Sequence, residues 1–155
     1  MGTILKGMGQ VRWHGLSHAY GSAEEVPGQL SRVAWGDART DALALGDLGL
    51  WLGELAVFDA TTAAVPFLWD LAAADAVTVR PGVIELLVSI LEHTNPPHLE
   101  VQYAAHRAVL DGKNTAEALR RNGDPLVRTA AVGLLAAIDR HACDACGPRD
   151  SGRTA

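Results

Sequence analysis

The sequence predicts an all-α domain, a short α-solenoid of about three stacked helical hairpins with six to seven helices. Helix starts recur at Asp37, Pro81 and Asp124-Pro125, 44 and then 43 residues apart. Apolar residues make up 48% of the 155-residue chain but aromatics only 5%, so packing must rely on Ala, Leu and Val. That suits close-packed helices better than a sheet, which favours β-branched and aromatic positions. No stretch reads convincingly as a strand.

Residues 1–12 lack periodicity and read as a flexible N-terminal arm, ahead of a repeat domain over 13–141 and a flexible tail over 142–155. The domain opens with a short turn in which Trp13, Leu16 and Tyr20 face inward. Ser22 precedes Glu25 by three residues, the capping-box spacing, and starts a helix to about Trp35. Gly36-Asp37 breaks it, and Asp37 caps a helix to about Leu55. Asp59 to Thr62 cap a helix over 62–74, and Pro81 starts one that ends near His93. Asn95-Pro96-Pro97 punctuates before a helix over 98–111, which Gly112 stops.

After a short segment from Thr115 to Arg121, Asp124 caps the last helix and Pro125 takes its first position, where no amide donor is needed. Val127, Ala130, Ala131, Leu134, Leu135 and Ile138 then form a continuous apolar face. Val132, Ala136 and Ala137 on its outer side predict packing on both faces.

The 43–44-residue spacing falls near the roughly 40–47-residue period of HEAT and armadillo arrays. Val26-Pro27 and Val65-Pro66 recur 39 apart on the preceding helices. A hairpin cannot cover its own apolar face, so stacked neighbours make the core. The helix after Pro81 fits: only Glu85, Ser89 and Glu92 interrupt its apolar surface.

The pattern Trp13…Leu16-Ser17-His18-Ala19-Tyr20-Gly21-Ser22-Ala23-Glu24-Glu25-Val26-Pro27, followed by Phe58-Asp59-Ala60-Thr61 and Ala64-Val65-Pro66-Phe67-Leu68, resembles a group of small bacterial HEAT-repeat proteins. The resemblance spans about 13–140 and implies the fold; its motifs are packing and turn positions that imply no activity. Members of that group usually carry His-Gln-Gly before the aromatic-x-Ala-Thr motif. Gly53-Glu54-Leu55 stands there in this chain, so no histidine role carries over.

A net charge of −5 argues against nucleic acid, whose backbone needs a basic stripe. No run of 18 apolar residues predicts a membrane span. Two cysteines, three apart, are no disulfide framework, and the first residues carry no signal-like apolar run, so a cytoplasmic protein is expected.

The helix from Asp37 to Leu55 carries the expected binding surface. Leu45, Leu48, Leu52 and Leu55 form its apolar face, Ala42, Gly46, Gly49 and Gly53 a small-residue face, and Thr40, Asp47, Trp51 and Glu54 a polar stripe. Glycine in a helix costs about 1 kcal/mol relative to alanine, so the small face implies either a helix in tight contact or a groove wall. Trp51 between Asp47 and Glu54 is the expected anchor, since aromatics dominate binding hot spots. Asp59, Trp69 and Asp70 complete the expected binding set, with Trp69 also suited to the core.

His14 and His18 have chelating spacing but lack a metalloprotease glutamate and read as structural. His106 reads as a hydrogen-bonded core histidine. His141-x-Cys143-x-x-Cys146 offers three local ligands where a structural zinc wants four, so no metal or cofactor is expected. No P-loop, dinucleotide motif or nucleophile elbow is evident. The expected function is therefore a non-catalytic module that binds a protein partner, preferentially a basic one. The alternative is a small-molecule binder or enzyme using the glycine-lined groove, with Glu54, Asp59 or His106 as acid–base residues.

Overall fold

Two of the expected helix starts are held by an aspartate cap. Ser22 caps only a 3-10 turn, Ala23–Glu25, through the Glu24 N–H at 3.4 Å, and the helix itself begins at Val26. In this computed structural model, which describes residues 4–147, Asp37 accepts the backbone N–H groups of Arg39 and Thr40 at 3.1 and 2.8 Å. That opens α2 (Ala38–Leu52), after α1 (Val26–Trp35) has ended at Gly36. Asp124 accepts the Leu126 N–H at 2.9 Å and Pro125 begins α7 (Pro125–Arg140). The others are α3 (Asp59–Ala73), α4 (Arg80–Glu92), α5 (Leu99–Leu110) and the short α6 (Lys113–Leu119). The described residues are all-α apart from a two-stranded antiparallel pair, β1 (Ser17–His18) with β2 (Gly21–Ser22), and a single Cys143–Gly147 bridge.

At α3 the cap is made differently. Fully buried Thr61 accepts the Phe58 N–H at 3.0 Å and donates to the Leu52 carbonyl at 2.8 Å, tying the start of α3 to the end of α2. This is why an aromatic-x-Ala-Thr sequence stands there. Helix α3 starts at Asp59, three residues earlier than expected, and holds Pro66 as its eighth residue, whereas Pro27 is the second of α1. The 39-residue interval between the prolines therefore does not relate equivalent positions.

Helices pack as neighbours in sequence, α1 on α2, α3 on α4 and α6 on α7. Contacts of α1 with α3, α3 with α5, α2 with α4 and α4 with α7 join these pairs. Helix α4 touches α2, α3, α5 and α7, which accounts for its nearly continuous apolar surface. Arg80 at its start is buried; its Nε donates to the Ala72 carbonyl at 2.9 Å, satisfying an orphan carbonyl at the end of α3.

Several expectations need correcting. Leu55 lies beyond the end of α2 and is 60% exposed, because Gly53 closes the helix. Tyr20 points outward at the hairpin tip. Within the expected arm, Leu5 is buried and the Trp13 indole N–H donates to the Met8 carbonyl at 3.0 Å. Residues 142–147 of the expected tail form a defined turn, while 1–3 and 148–155 lie outside the described residues. Of the three residues expected to pack on the outer side of α7, Val132 and Ala136 are exposed and only Ala137 is buried.

Thr61→Val keeps the side-chain volume but leaves two buried backbone groups unpaired. It should lower stability by roughly 1–3 kcal/mol in urea unfolding.

Candidate functional site

The small-residue face of α2 resolves into both of the arrangements that its glycines allow. At Gly53 the contact is tight. Its carbonyl accepts the Ser89 hydroxyl at 2.6 Å, and a Cβ there would meet Ile90 Cγ1 at 2.9 Å. At Gly46 the space is open, with nothing within 4 Å of a built Cβ. Ala42, Leu45, Gly46 and Gly49 form one wall of a groove of about 620 Å³, and Thr78, Pro81, Gly82, Glu85 and Ser89 form the other. The Glu54 carboxylate lies over Gly49 and lines the same groove.

A second groove of about 630 Å³ runs between α4 and α7, lined by Val88, Glu92, Leu126, Ala130, Gly133 and Arg140. Pro81, Glu85 and Ser89 border both. The polar stripe of α4 thus borders both grooves, and the flank of α7 bearing Leu126, Ala130 and Gly133 forms the far wall of the second.

Of the six expected binding residues, only Glu54 lines this surface. Asp47 is turned to α1, where it accepts from Gln29 Nε2 at 2.6 Å. Trp51 is half-buried and stacks face to face on His18, ring centroids 4.7 Å apart and planes within 3°. Its carbonyl accepts the Ala19 N–H at 3.1 Å, and Asp59 accepts the Ser17 N–H at 2.8 Å. Trp51 and Asp59 therefore pin the β1–β2 hairpin to the helices. Burial holds the His18 imidazole below its ordinary pKa against the opposing charge of Glu25, so the stacked ring is neutral at neutral pH. His14 is exposed, and His18 Nδ1 faces the Tyr20 N–H at 3.0 Å, so the two form no chelating pair.

Trp69 is buried with Gly112 packed flush against its indole. Asp70 is half-buried in a separate hollow beside Ile4 and Trp35, where burial raises its carboxyl pKa and a backbone N–H from Leu5 opposes the rise.

The terminal histidine and cysteines acquire a fourth member from α5. His106 is fully buried, and its Nδ1 lies 3.4 Å from Cys143 Sγ and 3.8 Å from Cys146 Sγ. One ligand atom from each of His106, His141, Cys143 and Cys146 falls within 4.8 Å of every other. His106 Nε2 sits 2.7 Å from the His93 carbonyl, which can only accept, so Nε2 carries the proton and Nδ1 presents a lone pair to the sulfurs. Desolvation lowers the pKa of His106 against backbone hydrogen bonds, and lowers that of His141 together with the neighbouring His106. Burial raises the Cys143 thiol, but hydrogen bonds from Cys146 and Gln102 outweigh it and bring the pKa down. Cys146, desolvated and facing Cys143, is pushed up to about 12. The spacing of the last three residues was visible in sequence; the 35 positions separating His106 from His141 hid the first.

Gly46→Ala should stabilise the protein by up to about 1 kcal/mol, its Cβ entering open space on a helix. Gly53→Ala should destabilise it, because Ile90 and Leu86 must give way; denaturant unfolding of both variants checks the contrast. Asp70 has a raised folded-state pKa, so its ionised form costs stability above that pKa. Asp70→Asn should raise Tm at neutral pH, with the gain vanishing as pH falls through the Asp70 titration, read by thermal melts across pH.

Comparison of the chain with protein-family models, with curated proteins and with solved structures finds no match.

Proposed function

We propose that this chain is a non-catalytic, HEAT-type helical-repeat module that binds a protein partner, as an adaptor, regulator or immunity-type inhibitor. The observation that carries the reading is the surface across α2, α4 and α7, where two grooves share the Glu85–Ser89 stripe. Leu45, Leu86, Val88 and Leu126 give it apolar lining. Glu54, Glu85 and Glu92 line it, with Arg140 the one basic side chain among the lining residues. An amphipathic segment with basic residues matches that chemistry, its apolar face filling a groove while its charges meet the glutamates. The glutamates would act more on association rate and partner choice than on raw affinity.

Among the described residues no helix is long and apolar enough to cross a membrane, and a cytoplasmic setting is part of this proposal. The enzyme alternative draws less support. Glu54 lines a groove, Asp59 holds the hairpin and His106 is fully buried among the cysteines, so the three acid–base candidates stand in three different places.

The test is capture of partners by the wild type and by two surface variants, Gly46→Trp and a Glu54→Lys/Glu85→Lys/Glu92→Lys triple. The expected result is a protein captured by the wild type and lost from both variants at unchanged helicity. A metabolite bound by the wild type and blocked by Gly46→Trp, with no protein captured, would favour the small-molecule reading. Undiminished capture by both variants would sink the groove as the docking surface.

A further inference from the structure

We propose that His106, His141, Cys143 and Cys146 bind one Zn²⁺ ion, which clasps the chain following α7 onto α5. The proposal stands apart from the groove reading and rests on four observations.

The first is metric. Zinc–sulfur bonds of about 2.3 Å and zinc–nitrogen bonds of about 2.0–2.1 Å, set tetrahedrally, place sulfur and nitrogen ligands roughly 3.5 Å apart. The distances from His106 Nδ1 to the two sulfurs, 3.4 and 3.8 Å, bracket that edge.

The second is orientation. The His93 carbonyl takes the Nε2 proton of His106 and so aims the Nδ1 lone pair at the sulfurs, the outer-shell arrangement that metal-bound histidines use. The Cys146 N–H donates to Cys143 Sγ at 3.3 Å, a hydrogen bond that stabilises a thiolate.

The third is the turn that carries the cysteines. Cys143 and Gly147 exchange backbone hydrogen bonds of 3.3 and 2.7 Å, with Gly147 at φ 85°, a region an L side chain enters only with strain. This closes Cys143 to Cys146 into a loop that presents both sulfurs to one point.

The fourth is an orphan. His141 Nε2 is buried with no hydrogen-bond partner among the described residues, while its ring meets that of His106 edge to face at 4.7 Å between centroids. A disulfide between the cysteines would account for the sulfurs and leave both histidines unexplained.

Two imidazoles and two thiolates select a borderline metal such as zinc over magnesium or calcium, which prefer oxygen. Four protein ligands leave no open position, so the ion is structural. On binding, the two thiol protons pass to solvent, both sulfurs coordinate as thiolates and nothing is oxidised. The clasp joins the turn after α7 to α5 through His106.

The experiment uses untagged full-length protein purified under reducing conditions. Elemental analysis should find one zinc per chain, and Co²⁺ exchanged into the site should give the visible absorption of a tetrahedral thiolate-ligated ion. Cys146→Ser lies outside every helix and should keep its far-UV helicity. It should bind Co²⁺ more than about 100-fold more weakly, beyond the roughly 10–100-fold that losing an outer-shell partner costs. A chelator should lower Tm in the wild type and leave the variant unmoved. Sub-stoichiometric zinc in the reduced protein, Co²⁺ affinity unchanged in Cys146→Ser, or an octahedral Co²⁺ spectrum would each overturn the proposal.

Discussion

Of the thirteen residues of α4, seven are buried, and they occupy a broad face spanning nearly half of the helix circumference. Burying a Val, Leu or Ile is worth roughly 1.5–3 kcal/mol, while the net stability of a domain is only about 5–15 kcal/mol. Six such residues on one helix must therefore be covered, and a single partner helix can cover only one side. Coverage by α2, α3, α5 and α7 follows from that requirement. So does the polar strip of Glu85, Ser89 and Glu92 opposite the buried face, with both glutamates exposed and Ser89 half-buried against Gly53. The grooves on either side of it arise because α2 and α7 approach α4 with small residues, Gly46 and Gly49 from one side and Ala130 and Gly133 from the other.

The segments flanking the helices are held by other means. Before α1 the chain folds back as the β1–β2 hairpin, held by the His18–Trp51 stack and by Asp59. Trp13 packs on Phe67 at 6.1 Å between centroids and brings residues 4–12 onto the same side. After α7 the chain turns back toward α5, where His106, His141, Cys143 and Cys146 meet. Aromatic stacking anchors the first of these segments, and a cluster of histidines and cysteines lies at the second.

Much of the fold was legible because its determinants are local. Asp37, Asp124 and Pro125 act within one helical turn, and the apolar period of α7 is a property of sixteen consecutive residues. The small-residue face of α2 was equally legible, although whether it met a helix or open space depended on how α4 crosses it. The binding stripe was not. A helical wheel places Asp47, Trp51 and Glu54 together, but the three meet α1, the hairpin and the groove respectively. Wheel position states which way a side chain leaves its helix and says nothing about what waits there.

The sequence by itself therefore determined the helices and the caps at Asp37 and Asp124, since backbone hydrogen bonding and apolar periodicity are settled within ten to twenty residues. Tertiary structure alone decided which surfaces stay open and which distant side chains meet. Trp51 became a latch because His18, 33 positions earlier, folds over it, and three terminal ligands acquired a fourth because α5 delivers His106 to the end of α7. Such meetings depend on loop closure and on the packing of several helices at once, and no local pattern in the chain records them.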